Sequence, residues 1–305
     1  MDDKTVRVLV PGTSANCGPG FDTLGVACTI YNEMEVSLLA EESLTIEAEG
    51  EGAGIIPGDS RNIVWRSIAA VLQRAGRDKD FHGAVIKMKN AVPLSRGLGS
   101  SSAAIVAGIK AANIILDNPF NQREMLDIAT ELEGHPDNAA PAIYGGFTIS
   151  VVNHGRAECF SFMPRLPLKL VVAVPDFHLS TRMARNVLPA EVPMKDAVFN
   201  VSRSSLMVAA LMKGNIRFLK RAFDDALHQP YRAKLIPGMY DVLSAARHEG
   251  AIGASLSGAG PCLIAYTVEN TAGIGQAMVE AFKRHEVNAR FLELDIDKRG
   301  VRILR

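Results

Sequence analysis

The amino-acid sequence predicts an α+β protein of two domains, and three observations support that fold class. The 305 residues exceed the length of one typical domain. Hydrophobic residues make up 48% of the chain, which is enough to fill two cores. Strand and helix patterns are mixed in both halves, and the second half follows the order β-α-β-β-α-β. We therefore expect one domain over residues 1–160 and a second over residues 161–305.

The composition excludes several classes of protein. Because 33 Lys and Arg balance 33 Asp and Glu, the formal net charge is +0, which argues against nucleic acid or a membrane surface as partner. The four cysteines form no Cys-x-x-Cys pair and the seven histidines show no metal-ligand spacing, so we expect reduced thiols and no structural zinc. The N-terminus lacks an apolar signal core, and Lys110 interrupts the longest apolar stretch. These features predict a cytoplasmic protein.

The first half begins with a strand pattern at residues 5–10. A polar, glycine-rich loop follows over 13–22, and such a loop is usually only a turn, although Asn16 and Asp22 are suited to hold a hydroxyl or an ammonium group. Alternation and helical periodicity predict the other elements of this half: strands at 34–40, 44–49, 83–89, 147–152 and 157–162, and helices at 61–75, at about 122–134, and a short one from 136.

A second glycine-rich stretch precedes a strong helix pattern that starts near residue 100. It consists of Pro93, Leu94, Ser95, Arg96, Gly97, Leu98, Gly99, Ser100, Ser101, Ser102 and Ala103. The two glycines allow tight backbone torsions, and the three serines stand where a helix cap and first turn belong. A helix start with unpaired N–H groups is an anion site, but a well-capped structural helix fits this stretch equally well. The stretch has neither the Lys-Ser/Thr pair of a P-loop nor the three spaced glycines of a dinucleotide loop.

A third polar cluster follows the helix that ends near Gly134. Its residues Glu133, His135 and Asn138 combine a carboxylate, an imidazole and an amide. Taken alone, the acids would face solvent and Asp137 would cap the next helix. Beside a phosphate loop, the same groups are suited to bind Mg²⁺ and a substrate, since Mg²⁺ in phosphoryl-transfer sites takes one or two carboxylates.

The second half has a ferredoxin-like order with extra helices in its first crossover. The predicted elements are strands at 168–174, 252–257, 262–268 and 289–295, helical segments through 180–249, and a helix at 272–285. Within the first crossover, Arg182 and Arg185 share one helical face, and Arg232 lies further along. Most surface arginines are simply solvated, but a fixed guanidinium is a natural clamp for a carboxylate.

Four separated stretches resemble one family, the GHMP kinases, and within it the homoserine kinases. They are residues 12–22, 93–103, 131–141 and 255–261, so the resemblance spans nearly the whole chain. Three positions depart from the wider family: Cys17 replaces a leucine, Thr13 lies where many relatives have a lysine or arginine, and Asn138 takes the place of the aspartate base of mevalonate kinase. The resemblance implies a ribosomal-protein-S5-like N-terminal α/β domain and a ferredoxin-like C-terminal domain.

The resemblance also implies an activity: ATP-dependent phosphorylation of the side-chain hydroxyl of L-homoserine, a step of threonine biosynthesis. The stretch 93–103 would wrap the phosphates of ATP, and Asn62 would contact its adenine. Ser101 and Glu133 would ligate Mg²⁺, with Glu131 or Asp127 as alternatives for the carboxylate.

The substrate residues implied by the resemblance lie in both halves of the chain. Asp22 would bind the ammonium group of homoserine, and Arg185 and Arg232 would hold its carboxylate. The hydroxyl would be oriented by polar side chains, and Thr181 completes the substrate set. The orienting residues are Asn16, His135 and Asn138. With Asn138 in the base position, we expect direct attack without a strong protein base, and a homodimer as the assembly.

Two other functions remain open from the sequence. One is a related small-molecule kinase that acts on mevalonate or a sugar. The combination of Asp22 with paired arginines argues instead for an amino acid as the substrate. The other is a nucleotide-binding sensor that has lost catalysis. The complete set of candidate phosphate, metal and substrate residues argues against that second function.

Overall fold

The computed structural model describes residues 5–304, so residues 1–4 and 305, at the outer ends of the two predicted domains, lie outside the described part. The described chain forms a seven-stranded sheet and a four-stranded sheet, both covered by helices. This mixture of strands and helices confirms the predicted α+β class. Within residues 5–304, no helix combines the length and apolarity needed to span a bilayer.

The seven-stranded sheet has a mixed topology. Its strands are β1 (Thr5–Ala15), β2 (Leu24–Leu39), β3 (Leu44–Gly50), β4 (Gly83–Asn90), β5 (Phe147–Asn153), β6 (Arg156–Phe162) and β11 (Arg302–Ile303). Their central order is β11-β1-β2-β4-β3, where only β3 and β4 are parallel. The hairpin β5–β6 extends from the first part of β2.

Two strands of this sheet are longer than the sequence pattern indicates. The predicted loop at residues 13–15 continues β1, because a bulge between Pro11 and Gly12 allows the chain to keep pairing with Gly25–Ala27. The strand predicted at 34–40 likewise begins ten residues earlier, at Leu24. β11 was not predicted at all, and it returns from the far end of the chain to pair with β1. The boundary at residue 160 stays a prediction.

Four helices cover one face of the first sheet. They are α1 (Ile63–Arg74), α2 (Ser100–Ile115), α3 (Gln122–Glu133) and α4 (Ala139–Tyr144). Every second residue of β1, β2 and β4 points into the core that these helices close, and Val8, Val36 and Ile86 lie there fully buried. The helix α2 is buried on most sides, which fixes the position of its N-terminus at the edge of the sheet.

The second domain confirms the ferredoxin-like prediction. Its strands are β7 (Lys169–Pro175), β8 (Gly253–Leu256), β9 (Leu263–Thr267) and β10 (Ala289–Asp295). They form an antiparallel sheet in the order β10-β7-β9-β8. The first crossover contains α5 (Thr181–Asn186), α6 (Met194–Lys213), α7 (Ile216–Leu219), α8 (Gln229–Arg232), a 3₁₀ turn (Ala233–Leu235) and α9 (Met239–His248), and the second contains α10 (Thr271–Lys283).

The two sheets are joined by a shared hydrophobic core. On one face of the second sheet, Val171 and Ala173 pack against α9 and α10. On the other face, Leu170 and Val172 belong to a cluster that also contains Val26 of β2. The two domains are therefore packed together by buried apolar side chains, and the loops at their junction are held in fixed positions.

Candidate active site

A cleft of about 430 Å³ opens at the junction of the two domains. All four stretches that carry the family resemblance contribute to its wall, together with the loop before α1 and the start of α5. Among the predicted site residues, the lining includes Asn16, Asp22, Asn62, Leu94, Ser95, Arg96, Gly97, Gly99, Ser100, Ser101, Glu133, His135, Asn138, Thr181, Arg185 and Arg232. Pro93, Leu98, Ser102 and Ala103 do not line the cleft and are buried behind it.

The stretch 93–103, which the family resemblance assigns to the phosphates of ATP, is called the phosphate loop below. It presents the N-terminus of α2 to this cleft. Gly97 and Gly99 have φ of 82° and 66°, in the region that favours glycine. The residue that caps α2 is Gly99, with no side-chain hydrogen bond, so the predicted serine cap is wrong. Because no side chain satisfies the first N–H groups of α2, they are available to an anion in the cleft.

Gly99 is also required by the close approach of its neighbours. A Cβ atom at this position would lie 1.9 Å from the Thr13 hydroxyl oxygen and 3.0 Å from Asn138 Oδ1. The same two side chains are joined by a hydrogen bond of 2.8 Å in which the Thr13 hydroxyl donates to Asn138 Oδ1. The amide nitrogen of Asn138 has no hydrogen-bond partner among the described residues, so the side chain has a donor left for a ligand.

The second domain holds the phosphate loop from behind. The Ser257 hydroxyl donates to the carbonyl of Gly97 at 2.6 Å, and the backbone N–H of Cys262 donates to the carbonyl of Arg96 at 3.0 Å. Both donors come from the turn between β8 and β9, the last of the four motifs. This turn therefore positions the loop and does not itself supply charge to the cleft.

One end of the cleft is mainly apolar. Ile56, Ile63 and Met88 line it beside Asn62. The Asn62 side chain is engaged within the protein, since its Oδ1 accepts from Val64 N at the start of α1 and its Nδ2 donates to the carbonyl of Pro57, both at 2.9 Å. The wall suits a flat aromatic base, while the direct contact of Asn62 with adenine stays a prediction.

Glu133 lies beside the phosphate loop at the end of α3. The Ser101 hydroxyl donates to Glu133 Oε2 at 3.2 Å, and burial raises the pKa of this carboxyl group. The two alternative carboxylates are engaged elsewhere and do not line the cleft. Asp127 accepts from the backbone N–H of Ala157 at 2.7 Å, and Glu131 bonds to Arg74 at 3.0 Å.

Asp137, for which the sequence suggested only a helix-capping role, also lines the cleft. Asp137 is 2% exposed, and its Oδ1 lies 2.6 Å from Nδ1 of His135. Burial opposes protonation of His135, but the hydrogen bond and charge of Asp137 outweigh it and raise the pKa of the imidazole. Asp137 does not cap α4, which begins after Asn138 without a side-chain cap. Ligand atoms of Asp22, His135 and Asp137 all lie within 4.8 Å of one another.

The loop after β1 is shaped by Asn16. This residue has φ of 68°, its Nδ2 donates to the carbonyl of Gly258 at 2.9 Å, and its Oδ1 accepts from the N–H of Asp22 at 2.9 Å. The amide nitrogen thus joins the loop to the second domain, and the amide oxygen closes the loop on itself. Asn16 lines the cleft, and its predicted contact with a substrate hydroxyl stays a prediction.

The other end of the cleft contains two arginines in different states. Arg185 is paired with Asp22 through two hydrogen bonds of 3.0 and 2.8 Å, an arrangement that sequence reasoning did not predict. Thr181 lies at the cleft wall one turn before Arg185, whereas Arg182 is exposed and outside the lining. The sequence places Asp22 and Arg185 more than 160 positions apart, so no local pattern indicates their pairing.

Arg232 is a buried cation without an ion-pair partner among the described residues. It is 2% exposed, and its guanidinium donates to the carbonyls of Ala184 at 3.1 Å and Gly258 at 3.0 Å. Burial, followed by the nearby charge of Arg185, lowers the pKa of Arg232 to about 10. Its Nη2 has no hydrogen-bond partner within the described chain, so a carboxylate entering the cleft would find a donor and an uncompensated charge.

Comparison with known proteins identifies relatives over nearly the full chain. The model of the GHMP kinases N terminal domain matches residues 62–146, and the GHMP kinases C terminal model matches residues 207–285. A homoserine kinase of Carboxydothermus hydrogenoformans is 44% identical over 97% of this chain and 95% of that protein. One of Moorella thermoacetica is 44% identical over 94% of this chain and 96% of its own length. The crystal structure of a homoserine kinase from Cytophaga hutchinsonii has a TM-score of 0.90 at 30% identity, covering 100% of this chain and 98% of that one.

Proposed function

The chain belongs to the homoserine kinase family of the GHMP kinases, and from this premise we propose that its cleft transfers the γ-phosphoryl group of ATP to the side-chain hydroxyl of L-homoserine. The product is O-phospho-L-homoserine, an intermediate of threonine biosynthesis. One observation carries the proposal. A single cleft joins a helix N-terminus without a side-chain cap to a site where two guanidinium groups, Arg185 and Arg232, lie beside the carboxylate of Asp22. Those are the charges that an ATP phosphate chain and a zwitterionic amino acid require.

The phosphates of ATP bind at the phosphate loop in this proposal. Phosphoryl transfer depends mainly on positioning and charge stabilisation, and the N–H groups at the start of α2 provide both. The loop carbonyls of Arg96 and Gly97 are held from behind, so the N–H groups are already oriented before ATP arrives. The apolar end with Ile56, Ile63 and Met88 takes the adenine.

Mg²⁺ fits beside Glu133. A half-buried carboxylate next to a serine hydroxyl offers the oxygen ligands that this ion prefers, and phosphate oxygens would complete its shell. We assign the role to Glu133 and Ser101 because they adjoin the phosphate loop. The cluster of Asp22, His135 and Asp137 is a poorer candidate, since Arg185 already pairs with Asp22 and His135 with Asp137. The bound ion would neutralise charge that develops on the transferred phosphoryl group.

The amino-acid end of homoserine binds where Asp22 meets the two arginines. Its ammonium group takes the place of Arg185 at Asp22, and its carboxylate is held by Arg185 and Arg232, with Thr181 at the same wall. Homoserine thus replaces one ion pair with two. A ligand with only a carboxylate would leave Asp22 unpaired in a partly dehydrated site, which is unfavourable.

The hydroxyl of homoserine lies between Asn138 and His135 in this arrangement. Asn138 accepts from Thr13, so its amide N–H is the group that remains to orient the attacking oxygen. An amide cannot remove a proton at neutral pH, and we therefore propose direct attack in which the phosphoryl group itself takes up the proton. Asp137 keeps the His135 ring in place through the hydrogen bond at Nδ1.

A substrate panel tests the proposal. Purified protein with ATP and Mg²⁺ should release ADP with L-homoserine far faster than with mevalonate or galactose. Faster turnover of mevalonate or a sugar would refute the homoserine assignment and leave the family assignment standing. No turnover of any alcohol by protein that binds ATP would favour a sensor. The homodimer expected from the sequence stays a prediction, which sedimentation equilibrium of the same sample would check.

A further inference from the structure

His228 lies directly behind the substrate end of the cleft and has no part in the chemistry proposed above. Its side chain is fully buried, at 0% exposure. Ring nitrogen Nε2 is 2.7 Å from the carbonyl oxygen of Gly18, and Nδ1 is 3.3 Å from Nη1 of Arg232. The Phe21 ring stacks on the imidazole, with ring centroids 5.2 Å apart and an interplanar angle of 20°. His228 therefore touches the loop that carries Asp22 and also the guanidinium of Arg232.

The partners of the two ring nitrogens determine where the proton resides. A carbonyl oxygen only accepts, so Nε2 must carry the hydrogen that bonds to Gly18. A guanidinium only donates, so Nδ1 must be unprotonated to accept from Arg232. Burial lowers the pKa of His228, and the positive charge of Arg232 lowers it further. The negative charge of Asp225, whose Oδ2 is 3.5 Å from Nε2, acts in the opposite direction and is outweighed. The bonds at the two ring nitrogens and the burial of the side chain thus agree with the neutral imidazole.

The backbone around His228 is fixed by the buried carboxylate of Asp225. Its oxygens accept from the N–H groups of Leu227 at 3.0 Å, His228 at 3.0 Å and Gln229 at 2.6 Å. These bonds anchor the residues that lead into α8, where Arg232 lies one turn later. They fix the backbone from which the imidazole and, one turn later, the Arg232 side chain project.

We propose that His228 is a positioning residue for the amino-acid end of the substrate. Its neutral imidazole couples the Gly18–Asp22 loop to the Arg232 guanidinium, and so sets the spacing between the group that accepts the ammonium and the group that donates to the carboxylate. The inference rests on the proposed function for the identity of the substrate. The coupling itself rests on the contacts of Gly18, His228 and Arg232.

Two substitutions separate this role from a general contribution to folding. His228→Leu removes both contacts at similar volume. His228→Asn places an amide oxygen near the position of Nδ1, so it keeps the acceptor for Arg232 and loses the donor for Gly18. We expect His228→Leu to raise KM for homoserine about tenfold, the size of one lost charged hydrogen bond, with KM for ATP within about twofold. His228→Asn should recover part of that loss and not all of it, because the link to Gly18 stays broken.

A destabilised control shows whether the effect is specific. Asn113→Ala removes a buried side chain that exchanges hydrogen bonds of 2.9 and 3.0 Å with Phe120, outside the cleft lining. It should lower Tm and leave both KM values unchanged. Equal increases in the two KM values of His228→Leu, or an Asn variant no better than the Leu variant, would overturn the proposal.

A measurement without substrate separates this inference from the proposed function. In full-length protein labelled with ¹⁵N-histidine, the His228 signals are assigned by their loss in His228→Asn. Their ¹⁵N shifts should report a protonated Nε2 and an unprotonated Nδ1 throughout the pH range of activity. A protonated Nδ1 refutes the coupling whatever the substrate is. The expected tautomer in a protein that does not phosphorylate homoserine would refute the proposed function and retain the link between His228 and Arg232.

Discussion

The pairing of Asp22 with Arg185 makes a prediction in which two substrates respond in opposite directions. The substitution is Asp22→Asn, and the substrates are homoserine and 4-hydroxybutyrate, which lacks only the ammonium group. In the proposed complex of the wild type, the ammonium of homoserine would pair with the Asp22 carboxylate. 4-Hydroxybutyrate gains nothing there, and it must still compete with Asp22 for Arg185.

The magnitude follows from the burial of the pair. A hydrogen bond to a charged group contributes about 1.5–3 kcal/mol. Because the side chains of Asp22 and Arg185 are 34% and 36% exposed, solvent screens the interaction, and we take the lower part of that range, about 1.5–2 kcal/mol. At about 1.36 kcal/mol for each factor of ten, KM for homoserine should rise about 12- to 30-fold in Asp22→Asn. KM for 4-hydroxybutyrate should stay the same or fall, because Arg185 is released.

A coupled ADP-release assay gives both KM values, with ATP varied separately as an internal reference. Asp224→Asn is the matched control, since it makes the same carboxylate-to-amide change at an exposed ion pair, 3.5 Å from Arg247, outside the cleft. It should leave both substrates unaffected. An equal rise in KM for homoserine and 4-hydroxybutyrate would show that Asp22 does not contact the ammonium group, and the zwitterion argument would fail.

Three further predictions concern the rest of the cleft. Gly99→Ala should weaken ATP binding in titration calorimetry, because a Cβ would strike the Thr13 hydroxyl at 1.9 Å and φ is 66°, and unchanged affinity in a folded variant would contradict the loop assignment. Glu133→Gln should lower kcat and raise the Mg²⁺ concentration needed for half-maximal activity, whereas Glu131→Gln should not; equal behaviour of the two would remove the metal role from Glu133. The pKa of His135 is raised in the folded protein, so its bond to Asp137 stabilises the fold fully at pH values below the ordinary pKa of histidine. This contribution to stability is lost as the pH rises through the raised pKa. The loss of Tm in His135→Ala should therefore be larger at about pH 6 than at about pH 9, and a pH-independent loss would contradict the pairing.

Local patterns predicted the elements that local interactions form. The helices at 63–74, 122–133 and 271–283 agree with their predicted positions within about three residues, since periodicity and end signals such as Gly134 are local. The second sheet was also predictable, because four short strands and two crossovers leave few topologies. The serine cap of α2 was wrong because the backbone of Gly99, held close to Thr13, takes the cap position.

The misses share a physical cause, which is pairing over long sequence distance. Residues 13–15 were assigned to the glycine-rich loop that follows them, yet they remain extended because β2 pairs with them beyond a bulge. β11 pairs at only two positions, too few for a strand pattern to be visible. The roles of Asp137 and His228 depend on neighbours that only the fold brings together. The motifs predicted which stretches of the chain meet at the cleft. Tertiary contacts determine which polar groups of those stretches are still available to bind a ligand.

The two arginines illustrate that last point. Both were expected to bind the substrate carboxylate, but they differ in the partners that their guanidinium groups already have. Arg232 is held by two carbonyls and by His228 and has no carboxylate partner among residues 5–304, so it is a fixed cation suited to bind an anion. Arg185 lies on a six-residue helix, is partly exposed, and is already satisfied by Asp22. Binding of the carboxylate at Arg232 therefore costs little rearrangement, whereas recruitment of Arg185 requires something to replace it at Asp22. Only a ligand that carries its own cation meets that condition, so the proposed selectivity for an amino acid follows from the ion pair of Asp22 and Arg185.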